Sequence, residues 1–253
     1  MLRFAPYTYT VRMERTGTRE RLILAAETLF GQKGIDAVSL REINVAAGQR
    51  NTSASHYHFG SKEALVTAIF DLRQEALGRR RADMLDAMER GSFAAARQLE
   101  QRATPGAERV IVTAVRDLAR VLVDPLAEMV SDEGGRSHYV SFLAQLFLQP
   151  TASWRGLIER PDGALPRLAQ ELVTLVPMPA PLAANRMMVM SQHVATSLAS
   201  HHRWLQQWTD GGTPLRPLPL ATFVLTLIDG VTAYLASPVS PELRQALEDE
   251  SGS

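Results

Sequence analysis

Cysteine is absent from this sequence, and its absence excludes disulfide bridges, thiolate metal ligands and cysteine nucleophiles. Long uncharged runs are also missing. The longest, residues 137–154, is interrupted by a histidine, two glutamines and a proline, which argues against a membrane span. The first residues lack the apolar run and small-residue cleavage site of a secretory signal. These absences predict a globular protein in the reducing cytoplasm, with no membrane partner.

Catalytic motifs are missing as well. The patterns HExxH, GxxxxGK[ST], GxSxG and GxGxxG do not occur, and the glycines fall at predicted helix ends, where capping explains them. The pair His201 and His202 does not predict a metal site, because adjacent helical residues point about 100° apart. The sequence therefore predicts neither catalysis nor a cofactor. An all-helical enzyme or binding protein stays an open alternative, although no motif favours it.

Charge is balanced over the whole chain but unevenly distributed along it. There are 27 Lys or Arg and 27 Asp or Glu in total. Residues 1–81 hold 13 basic and 8 acidic residues, and residues 82–253 hold the remaining 14 and 19. A basic N-terminal third is typical of a small nucleic-acid-binding domain joined to a larger neutral or acidic one.

Hydrophobic periodicity predicts helices almost throughout, and three of them lie close together near the N-terminus. The first spans about 17–33, with apolar residues at helical spacing and Gly34 at its end. The sequence Ser39-Leu40-Arg41-Glu42 is a capping box that opens a second helix to about Ala47. After a turn at Gly48, a third short helix covers about 51–59, and a long fourth one runs from Ser61 to about Arg90. Two short helices about a glycine turn predict a helix-turn-helix.

The third short helix carries few apolar residues and many short polar ones. Such a helix can enter the DNA major groove, where base edges are recognised by side-chain donors and acceptors. A polar surface loop is the alternative. The predicted base contacts are Arg50, Asn51, Thr52, Ser53, Ser55 and His56. Tyr57, His58 and Lys62 lie where the helix leaves the groove and are predicted to contact phosphates. The predicted DNA-binding residues are Ser39, Arg41, Arg50, Asn51, Thr52, Ser53, Ser55, His56, Tyr57, His58 and Lys62.

The same segment carries a family resemblance. The pattern FxxxGIxxVSLREIxxxAG at residues 30–48, followed by HYHFGSKEAL at residues 56–65, resembles the DNA-binding domain of the TetR family of bacterial transcriptional repressors. The resemblance covers about residues 15–65. Asn44 replaces a usual alanine, Ser55 replaces a common leucine, and the turn at residues 49–51 is one residue longer. The longer turn leaves open which of Arg50, Asn51 and Thr52 meets a base.

The resemblance implies an all-α homodimer that binds a two-fold double-stranded DNA operator and is released by a small-molecule effector of apolar or amphipathic character. An activator, or a regulator without a ligand, fits the same sequence. The implied domains are a flexible tail at 1–14, the DNA-binding domain at 15–65, a helical ligand-binding and dimerisation domain at 66–240, and a C-terminal tail at 241–253. Met13 is an alternative translation start.

Further helices are predicted at about 105–123, 125–131, one ending at Pro150, 165–176, 181–208 and 218–236. Apolar residues on these helices could line an effector site, with two polar contacts from the penultimate helix. The favoured alternative is that the apolar residues are plain core and that the histidine is an interface or surface residue. The predicted ligand-binding residues are Met88, Leu118, Met129, Tyr139, Phe142, Leu146, Gln192 and His193. In the family the last two helices usually form the dimer interface, which implies Met187, Met190, Val194, Leu198, His201, Phe223 and Leu227. The run Arg79-Arg80-Arg81 is interpreted as a solvated face or a domain boundary.

Overall fold

Helices packed side by side make up the whole of the described structure. A computed structural model describes residues 17–51, 53–99, 106–131, 138–148, 156, 164–208 and 216–251. In these residues there are eleven helices and no strands, which confirms the all-α prediction. They are α1 (Thr18–Lys33), α2 (Leu40–Ala46), α3 (Ala54–Phe59), α4 (Lys62–Arg90), α5 (Ser92–Leu99), α6 (Ala107–Ser131), α7 (Tyr139–Leu148), α8 (Ala164–Leu175), α9 (Ala180–Gln207), α10 (Leu220–Ala236) and α11 (Pro241–Ser251).

We call α1 to α3 the head. Helix α4 runs from the head to the body, which we define as residues 77–90 of α4 together with α5 to α11. The head closes over a small apolar core, in which each fully buried large side chain contributes about 1.5–3 kcal/mol. Gly34, at φ 89°, ends α1, and Gly48, at φ 66°, makes the turn after α2; both are left-handed conformations that favour glycine. The core side chains are Leu22, Ile23, Phe30, Ile35, Ile43, Leu65 and Ile69.

Helix α4 is fixed to the head by a buried ion pair. The Arg73 guanidinium donates to both carboxylate oxygens of Glu27 on α1, at 2.7 and 2.9 Å. Both side chains are nearly inaccessible to solvent. Because the pair is bidentate and joins two helices, it sets the position of α1 against the long helix.

The body is organised around α6, which packs against α4, α5, α8, α9 and α10. We expected two helices here, broken between Asp124 and Pro125, but α6 continues through Pro125. Proline removes one helix hydrogen bond at a cost of about 3 kcal/mol. The side chains around it, including Leu122, Val123 and Leu126, are buried, so packing outweighs this loss.

Head and body are in direct contact through α1 and α7. The rings of Phe30 and Phe142 stack with centroids 6.3 Å apart. Gly31 permits this approach, since a Cβ there would lie 2.8 Å from the carbonyl oxygen of His138, just before α7. Because α1 and α7 are in direct contact, a displacement of α7 would reach the head directly and not through α4.

Three predicted boundaries differ from the structure. Helix α3 begins at Ala54, three residues later than expected, because the described residues before it, 48–51 and 53, belong to the turn. Helix α5 was not predicted. The segment predicted as a C-terminal tail contains α11, whose first turn is capped by the Ser240 hydroxyl accepting from the Leu243 N–H at 3.2 Å. The predicted tail at residues 1–14 lies outside the described residues.

Among the helices that the structure describes, none alone is long and apolar enough to cross a membrane. Helices α10 and α11 meet that test only when taken together, and they are bent by 59° relative to each other. The apolar side of α10 packs against α6.

Candidate nucleic-acid interface

Helix α3 is held against α2 by a buried polar pair. The Asn44 amide donates to the Ser55 hydroxyl at 2.9 Å, and its carbonyl oxygen accepts from the Ser55 N–H at the same distance. The prediction that Ser55 contacts DNA is therefore wrong, because this side chain is only 1% exposed and faces the head. The two departures from the family pattern at these positions are one feature, in which a hydrogen-bonded pair stands where two apolar residues are usual.

The turn before α3 presents its side chains to solvent. Arg50, Asn51 and Ser53 are all exposed. The Asn51 side-chain oxygen accepts from the Ser53 N–H at 2.9 Å, which orders the entry into α3. Asn51 therefore shapes the turn as well as facing outward. Arg50 is the long cationic side chain that the turn presents to solvent. Thr52, also predicted to contact DNA, lies outside the described residues.

The outer face of α3 consists of His56, Tyr57 and His58, all exposed. Tyr57 is 85% exposed, the largest value among the exposed large hydrophobic side chains of the described chain. Its ring meets that of His58 edge-on, with centroids 5.3 Å apart. A cluster of aromatic donors and acceptors with no intramolecular burial is suited to base edges and phosphates.

Of the three remaining predicted contacts, Ser39 and Lys62 are engaged in head structure. Ser39 forms the capping box of α2 with Glu42, as the sequence predicts, and its hydrogen bonds lower the pKa of the Glu42 carboxyl. The Lys62 ammonium donates to the carbonyl oxygens of Ile35 and Asp36, at 3.1 and 3.4 Å. Lys62 thus ties the start of α4 to the turn after α1. Arg41 is exposed on α2.

The residues predicted to line an effector site divide into two groups. Met88, Leu118, Met129, Tyr139, Phe142 and Leu146 are buried and belong to the main apolar core. Gln192 is half-buried, and His193 is exposed on α9, away from this core. The structure therefore does not bring His193 together with the others, and any contact of these residues with a ligand stays a prediction.

Arg81, in the run of three arginines on α4, is a buried side chain that was not predicted from the sequence. In the run of three arginines, Arg79 pairs with Glu75 on the surface, and Arg80 makes a bidentate pair with Glu128 of α6. Arg81 turns inward and is 7% exposed. The signal was present, since position 81 falls four residues from both Leu77 and Leu85, on the buried side of α4.

The residues predicted for the dimer interface lie mostly inside one chain. Met187, Val194 and Leu198 are at most 1% exposed, because this side of α9 packs against α6, α7 and α8. His201 stacks on Phe223 at 3.9 Å and joins α9 to α10. These contacts, together with the burial of Met190 and Leu227, correct the prediction: the apolar stripe faces the protomer's own core. Within the described residues no group of three or more potential metal ligands occurs.

A turn that presents Arg50, an outward-facing short helix and a second helix that braces it form a helix-turn-helix. Residues 22–69 match the model of bacterial regulatory proteins of the tetR family, which confirms the resemblance found in the sequence. Residues 22–69 are therefore similar to the DNA-binding domain of these regulators. No curated protein matches the chain significantly by sequence.

Solved structures share the fold at low sequence identity. The fatty acid degradation regulator FadR from Bacillus halodurans is 16% identical, with a TM-score of 0.50 over 88% of this chain and 96% of that one. FadR from Bacillus subtilis, in complex with stearoyl-CoA, is 15% identical, with a TM-score of 0.46 over 87% and 99%. AibR, in complex with isovaleryl coenzyme A and operator DNA, is 13% identical, with a TM-score of 0.47 over 88% and 100%. At these identities the likeness concerns the fold alone.

Proposed function

We propose that the protein is a cytoplasmic, homodimeric transcriptional repressor that binds a two-fold operator and is released by a small-molecule effector. The observation that carries the proposal is the outward face of α3. His56, Tyr57 and His58 are exposed while Ala54 and Ser55 are buried against α2, so the head presents a preformed recognition surface. The excess of basic residues in the first third of the chain supports the same function.

Dimerisation would place two such surfaces on successive major grooves, as two-fold operators require. The interface that we propose uses the sides of α9 and α10 that the protomer leaves exposed. These sides carry small residues, such as Ser200, Thr226 and Gly230, next to the exposed rings of Trp204 and Tyr234. Small residues allow close helix approach, and exposed aromatic rings gain from burial.

Release by an effector requires that the ligand bind the non-DNA conformation more tightly, because a ligand indifferent to the two states shifts nothing. The contact of α7 with α1 supplies a route for such a shift. A displacement of α7 in the body would move α1, and with it the recognition helix that α1 and α2 support.

The proposal is tested by fluorescence anisotropy with DNA from upstream of the protein's own gene, across a salt series, against a scrambled duplex. We expect tight, salt-sensitive preference for one palindromic fragment. Arg50→Ala and His56→Ala should each weaken operator binding about tenfold to a hundredfold without loss of folding. Exposed residues of the body provide matched controls, and Arg244→Ala and His193→Ala should bind as the wild type does. Equal, weak binding to both duplexes would reject a sequence-specific regulator.

The proposed dimer has its own test in the mass of the protein in solution, measured by light scattering. A Cβ at Gly230 would meet no atom within 4 Å in the protomer. Gly230→Arg should therefore leave the fold intact and convert the dimer to a monomer. A dimer that survives this change would place the interface elsewhere.

A further inference from the structure

Three arginine side chains are buried in the described part of the chain, and the fold satisfies two of them. Arg73 has the Glu27 carboxylate, as described above. Arg186 donates to the backbone carbonyl oxygens of Leu235 and Ser237 at the end of α10, at 3.4 and 2.6 Å. The fold therefore has two ways to accommodate a buried guanidinium, with a carboxylate or with the carbonyls of a helix end.

Among the residues that the structure describes, Arg81 has neither kind of partner. Its side chain is almost fully buried, its Nε is inaccessible and makes no hydrogen bond, and none of the carboxylates that the structure describes pairs with it. The titratable group that interacts with it electrostatically is the Tyr139 phenol. Within the described part of the chain, this buried cation is thus left without a counter-charge.

Such an arrangement is costly, because a buried charge needs a partner of opposite sign to offset its lost hydration. Burial lowers the pKa of the Arg81 guanidinium, yet an arginine stays protonated inside a protein. The side chain cannot escape the cost by neutralising itself. An anion supplied from outside the chain would offset this cost.

We propose that Arg81 anchors the anionic head of the effector, and that this effector is an amphiphilic carboxylate. The inference rests on the proposed function and names the class of ligand for its effector site. The carboxylate pairs with the Arg81 guanidinium, and the hydrocarbon part lies in the apolar interior of the body. Of the predicted ligand-binding residues, Met88, Leu118, Phe142 and Leu146 belong to the same apolar core.

The charge of the site selects a carboxylate over a phosphate. Arg73, the other buried guanidinium of α4, is already neutralised by Glu27, so the site holds one uncompensated positive charge. A carboxylate brings one negative charge and matches the planar guanidinium in bidentate geometry. A phosphate monoester, with close to two negative charges at neutral pH, would leave excess negative charge in the core.

The position of Arg81 connects the ligand to the head. Tyr139, which interacts with Arg81, accepts a hydrogen bond from the Gln74 amide at 3.2 Å and begins α7. Phe142, one turn further along α7, stacks on Phe30 of α1. An anion that draws Arg81 toward itself acts on Tyr139 at the end of the helix that packs against the head.

The test compares sodium octanoate with octanamide, which has the same chain and shape but no charge. Binding to the full-length protein is measured by isothermal titration calorimetry and by thermal unfolding. We expect octanoate to raise Tm by about 5–10 °C at one hundred times its Kd. Octanamide should bind at least tenfold more weakly.

Arg81→Met should lose the preference for octanoate over octanamide and bind octanoate at least tenfold more weakly than the wild type. Its Tm without ligand checks that it folds. Arg79→Met makes the same change two residues away, where the partner is the exposed Glu75 on the same helix, and should bind octanoate as the wild type does. Failure of octanoate to bind the wild type, equal binding of octanamide, or full binding by Arg81→Met would each overturn the proposal.

The operator assay is carried out on the same preparations and separates the two proposals. Specific DNA binding without octanoate binding rejects only the carboxylate site. Octanoate binding that depends on Arg81 in a protein without specific DNA binding rejects the repressor and leaves Arg81 as an anion site.

Discussion

The head and the body treat buried polar groups in opposite ways. In the head and at its contact with α4, the buried polar side chains pair with one another, Glu27 with Arg73 and Asn44 with Ser55. The body, in the part that the structure describes, keeps three buried side-chain atoms without a hydrogen-bond partner, on Arg81, Ser92 and His201. Native proteins rarely leave such atoms unsatisfied, and each exception calls for an explanation.

The difference corresponds to what the proposed function requires of each region. A head that recognises DNA gains from a fixed surface, and paired polar groups specify one arrangement of α1, α2 and α4. A region that responds to a ligand, as we propose for the body, must differ in free energy between its free and bound forms, and unsatisfied groups are one source of such a difference. The comparison predicts opposite responses when buried polar groups are removed from the two regions.

The largest expected effect comes from the paired region. Glu27→Gln leaves the Arg73 guanidinium buried without its carboxylate and should lower the free energy of unfolding by about 3–5 kcal/mol. Urea denaturation measures this loss, and Glu75→Gln, which removes the exposed partner of Arg79, should cost less than about 1 kcal/mol. In the body, Arg81→Met should leave the unliganded protein equally or more stable. Equal losses for Glu27→Gln and Arg81→Met would erase the contrast between the regions.

The pair between α2 and α3 provides a smaller test of the same contrast. Asn44→Ala leaves the Ser55 hydroxyl buried without its partner and should cost about 1–3 kcal/mol. The double variant Asn44→Ala/Ser55→Leu replaces both groups with apolar ones and should recover most of the loss. Urea denaturation of the two single variants and the double variant gives the coupling energy. Additive losses would show that the pair is not a unit.

The junction of the two regions is probed at Gly31. Gly31→Ala places a methyl group 2.8 Å from the backbone carbonyl oxygen of His138 and should cost about 1–3 kcal/mol by pushing α7 away from α1. Gly78→Ala is the matched control, because a Cβ there meets no atom within 4 Å, and it should stabilise α4 by about 0.5–1 kcal/mol. If the two alanines have the same effect, α1 and α7 are not in close contact.

The sequence predicts much of the head because its signals are local. The capping box at Ser39, the glycine turn at Gly48 and the start of α4 after Ser61 each depend on residues within one helical turn. The orientation of Ser55 was predicted wrongly because it depends on Asn44, eleven positions away, and on the late start of α3. A polar side chain near a recognition surface can point either way, and only tertiary contacts decide.

The body is harder to predict for a different reason. The spacing of Met187, Val194 and Leu198 correctly indicates a buried face of α9, but periodicity does not show whether a partner or the same chain buries it. The inward turn of Arg81 was obscured by its two surface neighbours. Apolar residues four positions to either side were the better guide, because they fix the face of α4 on which it lies.

The smallest expected effect is on the pH dependence of stability. It concerns His201, whose Nε2 is another buried atom of the body without a hydrogen-bond partner. Burial lowers the pKa of His201, whose ring stacks on Phe223. Below about pH 6.5 the unfolded chain takes up a proton that the folded protein resists, so stability falls as the pH falls, by at most about 1.4 kcal/mol per pH unit for one histidine. The pKa values of His138 and His202 are also lowered by burial and contribute in the same direction.

His201→Phe keeps the stacked ring and removes the titrating group, so its free energy of unfolding should fall less steeply between pH 7 and pH 5 than that of the wild type. Urea denaturation at several pH values measures both slopes. His193→Phe, the same change at an exposed position of α9, should leave the slope unchanged. An unchanged slope in His201→Phe would mean that this histidine takes up its proton equally well in the folded and unfolded states, and burial of its ring would then not account for a pH dependence of stability.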